Sequence, residues 1–196
     1  MSKGGKTRQR IIEKSAPVFN QLGYGGTSMS TLMEVTGLEK GGLYRHFVSK
    51  EELACESFEY TCRVANESKL MPVEKVEGGL ERLEEFIRVF VSKRPPVAGG
   101  CPIFNTAVES DDGNPVLKKL ARNAYKMWVD RIAQWVMEAK EEKSLRADVD
   151  PQDLASFIFC SLEGALIAQN LTGDKSTLSR SARHLHKYLD SLSLRI

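Results

Sequence analysis

The chain has 196 residues, 41% of them apolar and 28% charged, with a net charge of +2, which is the balance of an ordinary globular protein of one large or two small domains. No bilayer-spanning segment is expected, because no apolar run nears the ~18 residues that a span needs. The basic start (Lys3, Lys6, Arg8, Arg10) has no apolar stretch behind it and is not expected to be a signal peptide.

By elimination the expected address is the cytoplasm. The charge is uneven: residues 1–50 carry +5 and the remainder −3. A basic front on an acidic body suits a partner rich in phosphate. Cys55, Cys62, Cys101 and Cys160 form no C-x-x-C, and His184 and His186 point to different sides of a helix. No metal site and no cofactor are expected, and reduced thiols are the default.

In chain order, Ile11, Ile12, Ala16, Phe19 and Leu22 set a helical period over residues 6–22, and Gly23 stops it. Ser28 can cap a short second helix, in which Leu32 and Val35 share a face. Gly37 supplies the positive φ of a tight turn, and Leu38 staples it. In the next short helix Leu43 and Phe47 face inward, leaving Lys40, Gly41, Gly42, Tyr44, Arg45 and His46 outside. Ser49 with Glu52 three residues on is a capping box. The helix it opens runs to about Lys69 through Leu53, Ala54, Phe58, Cys62 and Ala65.

Pro72 and Gly78-Gly79 mark a break. Leu80, Leu83, Phe86, Ile87 and Phe90 make an amphipathic helix, and residues 94–100 a loop. A short apolar helix follows from Cys101 to Ser110, ended by Asp111-Asp112-Gly113. Asn114-Pro115 and Asp150-Pro151 are helix starts. The first opens a helix to about Glu142 with Leu117, Leu120, Ala121, Ala124, Trp128, Ile132 and Trp135 on one side. The second, Leu154 to Asn170, is apolar nearly all round and is expected to be buried. Ser176 opens the last. With no strand pattern and no repeat, the chain reads as all-α with about nine helices.

Basic groups, small residues and an aromatic hydroxyl on one short helix suit a DNA major groove; a plain helical hairpin shares the periodicity. The stretch resembles the DNA-binding domain of the TetR (tetracycline-repressor) family of bacterial transcription regulators. The likeness runs from Phe19 through Gly23-Tyr24, Thr27-Ser28, Leu32, Gly37, Lys40, Gly42-Leu43-Tyr44, His46-Phe47, Ser49-Lys50 and Glu52-Leu53. It covers about the first quarter of the chain. Met33 and Thr36 stand where that family usually has alanines, and Pro17 lies inside the first helix.

The resemblance implies an N-terminal helix-turn-helix DNA-binding domain (1–50) and a C-terminal helical domain for ligand binding and dimerisation (51–196). The candidate DNA-binding residues are Thr27, Ser28, Lys40, Gly41, Gly42, Leu43, Tyr44, Arg45, His46 and Lys50, with double-stranded DNA carrying a palindromic operator as partner. Lys3, Lys6, Arg8 and Arg10 are candidates for further phosphate contacts.

Leu178, Ala182, Leu185, Leu189 and Leu192 repeat at spacings of 4, 3, 4 and 3, a packing seam. Ser161, Gly164, Ala165 and Ala168 make a stripe of small side chains. Paired across a two-fold axis these would form a four-helix dimer interface; the same stripes could pack inside one subunit. The resemblance implies the homodimer.

It also implies a small-molecule effector site in the body, for which Phe58, Cys62, Phe86, Phe90, Cys101, Phe104, Asn105, Trp128, Trp135, Phe159 and Glu163 are the candidates, with Phe157 among the body aromatics. Glu163 is the only acidic residue between Leu154 and Asn170, and its burial would require a partner. Cys101, at a helix start, offers an alternative: a thiol that senses oxidants or electrophiles. No nucleophile elbow, phosphate loop or metal-ligand cluster points to an enzyme.

Overall fold

The computed structural model describes residues 2–110 and 113–195, apart from the side chain of Lys3. Among these residues are nine α-helices: α1 (Lys3–Gly26), α2 (Met29–Thr36), α3 (Lys40–Tyr44), α4 (Lys50–Lys69), α5 (Gly79–Ser92), α6 (Pro102–Glu109), α7 (Pro115–Glu141), α8 (Pro151–Thr172) and α9 (Ser176–Leu192). Extended pairing among them is limited to one isolated bridge, Leu145–Ser193. The all-α reading and the helix count agree with the expectation. Asp111 and Asp112, expected to end α6, lie outside the described residues.

The helices fall into two compact units, one of Met1–Ala65 with Pro95–Asn123, the other of Asn66–Arg94 with Ala124–Ile196. This line differs from a division at residue 50. Helices α4 and α7 each contribute to both units, and the distant segment 95–123 belongs with the N-terminal head.

In the first unit the core is Ile11, Ile12, Leu32, Leu43, Phe47 and Leu53, edged by Phe19, Met29, Met33, Leu38 and Tyr60. α1 starts earlier than its apolar period, because the Ser2 hydroxyl accepts from Gly5 N at 3.2 Å. Its helical path breaks at Gly23, where φ is 74° and ψ 173°. Thr36 is buried, and its hydroxyl is satisfied by donating to the Leu32 carbonyl at 2.6 Å. Asn114 caps α7 by accepting from Val116 N and Leu117 N at 2.9 and 3.0 Å.

In the second unit α5 buries Leu80, Leu83, Phe86, Ile87 and Phe90, and α7 buries Trp128, Ile132, Trp135, Val136 and Ala139. Asp150 caps α8 through Gln152 N and Asp153 N, both at 2.9 Å. α9 packs on α5 and α8.

Of the two readings of the α9 seam, packing inside one subunit is the one seen: Leu178, Ala182, Leu185, Leu189 and Leu192 are all buried within this unit. One expectation is corrected: α8 is not buried all round. Leu154, Ala155, Ile158, Phe159, Leu162 and Leu166 are covered, whereas Phe157, Cys160, Gly164, Ile167 and Leu171 are exposed. By length and composition alone α8 is apolar enough to cross a membrane, contrary to the reading that no segment is, with 44% of its apolar window buried inside the protein.

Candidate DNA interface and effector residues

Helices α2 and α3 are joined at Gly37, whose φ of 69° and ψ of 26° are left-handed and whose N–H reaches the Met33 carbonyl. Ser28 caps α2, its Oγ accepting from Thr31 N at 3.1 Å. α3 is pinned from within by Leu43, with Phe47 buried just beyond it. Its outer side presents Lys40, Gly41, Tyr44 and Arg45 to solvent, with Gly42 and His46 partly exposed. A Cβ placed on Gly41 would meet nothing within 4 Å. The protein's own packing therefore does not require glycine there, although glycine inside a helix costs about 1 kcal/mol relative to alanine. The result is a bare backbone strip on the exposed side, suited to a surface that approaches closely. Ser49 caps α4 as expected, accepting from Glu52 N at 3.0 Å, and Glu52 Oε2 reaches one residue further back than in a capping box, accepting from Val48 N at 2.6 Å.

Three groups expected at phosphates have partners inside the unit. Thr27 is buried, and its hydroxyl donates to the Gly23 carbonyl at 2.6 Å. Lys50 Nζ donates to the carbonyls of Tyr24 and Thr27 at 2.7 and 2.9 Å, and lies 4.2 Å from the centre of the Tyr24 ring. Arg8 donates to the His46 carbonyl at 3.2 Å, to Glu52 at 2.8 Å and to Glu56, with its guanidinium 4.4 Å from the Phe47 ring centre. The hydrogen bond to Glu56 is the main reason its pKa is raised. A legible signal existed for Arg8: Glu52 and Glu56, four apart, form an acidic pair on one helix face. Lys6 and Arg10 are exposed; the Lys3 side chain lies outside the described residues.

The candidate effector residues divide between the units. In the first, Phe58 and Cys62 are buried on α4; burial pushes the Cys62 thiol up to about 12 and the Cys55 thiol up to about 11. Cys101 is the partly buried N-cap residue of α6, and Phe104 is partly buried. Asn105 does not sit among apolar groups. It is exposed, and its amide donates to the carbonyls of Asn20 and Gly99 at 3.0 and 2.8 Å.

In the second unit the aromatics do converge. The Phe86 ring centre lies 5.9 Å from Phe90, 6.0 Å from Trp128 and 5.7 Å from Trp135. Trp128 stacks on Phe159 at 5.3 Å. The indole N–H groups of Trp128 and Trp135 are buried and find no acceptor among the described residues. The Lys69 ammonium, missed from the sequence, is buried 3.7 Å from the Phe90 ring centre and donates to the Phe90 carbonyl at 3.1 Å. Glu163 is buried on α8. Phe157 turns outward, half exposed, edge-on to Tyr188 at 5.3 Å.

Comparison with known proteins agrees along the chain. Residues 11–56 match the family described as bacterial regulatory proteins, tetR family, and residues 79–185 match the tetracyclin repressor-like C-terminal domain. A TetR transcriptional regulator from Chloroflexus aurantiacus is 37% identical, with a TM-score of 0.93 over 98% of each chain. A TetR-family regulator from Cytophaga hutchinsonii is 29% identical, with a TM-score of 0.92 over 100% of this chain and 99% of that one. The HTH-type transcriptional repressor DhaR of a Mycobacterium species is 25% identical over 88% of this chain and 87% of its own length. With both of its parts matched and a helix-turn-helix that presents a basic outer face, the chain belongs to the TetR family and is a DNA-binding regulator of transcription.

Proposed function

We propose that the protein is a homodimeric repressor that holds a palindromic operator and is released from it by a small apolar or amphipathic ligand in the bacterial cytoplasm. The observation that carries the reading is the outer face of α3: Lys40, Gly41, Tyr44 and Arg45 stand exposed on a helix locked from inside by Leu43. Arg45 and Lys40 supply charge and base-edge donors, Ser28, Tyr44 and His46 bond phosphates, and Gly41 and Gly42 let backbones approach. Thr27 and Lys50 act one step back, by shaping the turn that launches α2.

Dimerisation is supported by the bare apolar stripe of α8, Phe157, Ile167 and Leu171 beside Gly164, the last leucine 85% exposed. A row of this kind is unusual on a surface that stays in water. Two heads read two half-sites, and a palindrome accepts one separation between them. The effector site is supported by the second unit's aromatic cluster, where two buried indole donors lack acceptors among the described residues; a ligand carrying a carbonyl or carboxylate would satisfy them. α4 contributes to both units. A ligand that shifts it would alter the separation of the heads and so the operator affinity.

The test is selection of bound sites from random duplexes by the purified protein. An inverted repeat with salt-sensitive affinity is expected, lost when Gly42, Tyr44 and Arg45 are all replaced. The absence of any salt-sensitive binding to duplex DNA would end the reading. A thermal-shift screen then searches for the effector, since ligands of the folded state raise the melting temperature.

A further inference from the structure

Helix α6 comes from the middle of the chain, yet it is part of the N-terminal unit and packs on α1. Its last residue reaches the turn before the reading helices. The two carboxylate oxygens of Glu109 accept from Tyr24 N at 2.8 Å and Gly25 N at 2.6 Å. These N–H groups are available because the α1 path breaks at Gly23. A Cβ on Gly23 would lie 2.6 Å from the Glu109 carboxyl carbon, so glycine there serves the contact as well as the turn.

The same turn is held from its other side. Lys50 Nζ takes the carbonyls of Tyr24 and Thr27. Tyr24 thus gives its N–H to an anion from α6 and its C=O to a cation from α4. Thr27 and Ser28, which follow at once, lock the turn to Gly23 and cap α2.

Polar contacts tie α6 and the loop before it to α1, alongside the buried Pro102 and Ile103. Asn20 donates to the carbonyls of Ala98 and Gly100 at 2.9 and 3.2 Å, and Asn105 donates back to Asn20. Asn20 also lines a half-open cleft of about 30 Å³, together with Ala16, Phe19, Ser57, Phe58 and Pro102. The Ser57 hydroxyl there is buried, in a residue 1% exposed, with no hydrogen-bond partner among the described residues.

We propose that Glu109 is a positioning residue for DNA reading: with Lys50 it forms a two-sided clamp on the turn at residues 23–27, and loss of its carboxylate weakens operator binding. This rests on the DNA-binding role of α3. It reaches beyond α4 as the sole link, because α6 acts on the reading helices by a separate route.

The sign of the effect separates the clamp from bulk electrostatics. Glu109 is a negative charge on a DNA-binding unit, so removing it should tighten binding if only its charge mattered. The clamp requires the opposite. The test uses the full-length protein and the operator found by selection; failure of the wild type to bind any duplex would strike the function and not the clamp. Operator affinity, its salt dependence and amide exchange at Tyr24 and Gly25 are measured for the wild type, Glu109→Ala and Glu109→Gln.

The expected result is faster exchange at both amides in Glu109→Ala and about tenfold weaker binding, the size of one lost charge-assisted bond. The salt slope should be unchanged. Glu109→Gln, which keeps the shape and one acceptor oxygen, should fall between and guards against a folding defect. Equal or tighter operator binding in either variant, with exchange at residues 24 and 25 unaltered, overturns the proposal.

Discussion

The ammonium of Lys50 lies over the ring of Tyr24, 4.2 Å from its centre, and donates to the carbonyl of that same residue at 2.7 Å. A lysine that the sequence presents as a phosphate ligand is thereby tied to the protein. Lys50→Met should lower stability by about 1–2 kcal/mol, because it strands two carbonyls at a turn. It should weaken operator binding with the salt slope unchanged. Arg45→Ala, which removes an exposed cation, should reduce that slope by about 1. Binding isotherms at several salt concentrations distinguish the two.

Gly37 and Gly41 should respond to alanine with opposite signs. Gly37 is left-handed, so Gly37→Ala should cost about 1 kcal/mol or more of stability. Gly41 is helical with open space where a Cβ would go, so Gly41→Ala should stabilise by up to about 1 kcal/mol. With the outer side of α3 as the proposed DNA-facing side, the same methyl should weaken operator binding. Denaturant melts and binding isotherms on one preparation would reveal the split.

The bare side of α8 and the covered side of α9 should behave differently. Ile167→Glu, at an exposed site, should leave the fold of the monomer intact and dissociate the dimer at micromolar concentration in sedimentation. Leu185→Ala, inside the unit, should cost about 2–5 kcal/mol whatever the concentration. A wild type that sediments as a monomer would remove the dimer from the account.

Alkaline pH should erode stability through the buried thiols. Cys62 is raised from 9.0 to about 12, first by burial and then by Glu59. The folded state therefore holds its proton more tightly than the unfolded chain does. The stabilising effect is full below pH 9.0 and is lost as pH climbs toward 12. At pH 10 the loss from this one thiol is on the order of 1 kcal/mol. Urea melts from pH 8 to pH 10 should fall less steeply in Cys62→Ala, after allowance for its lower baseline.

Local chemistry was written plainly in the chain. Ser28, Gly37, Ser49 with Glu52, Asn114 and Asp150 each mark a helix end through their own side chain or φ, within a turn of where they act, and all are found where expected. The inner residues Leu43 and Phe47 follow from spacing alone.

What tertiary structure decided is how groups far apart in sequence share partners. Lys50 and Arg8 look like exposed cations until Tyr24, Thr27, Glu52 and Glu56 are brought beside them. Asn105 and Glu109 reach α1 from more than eighty residues away. The leucine seam of α9 and the apolar faces of α8 carry the same periodic signal. Periodicity says only that a face seeks cover, and the arrangement of α5, α8 and α9 determines which face finds it inside the chain.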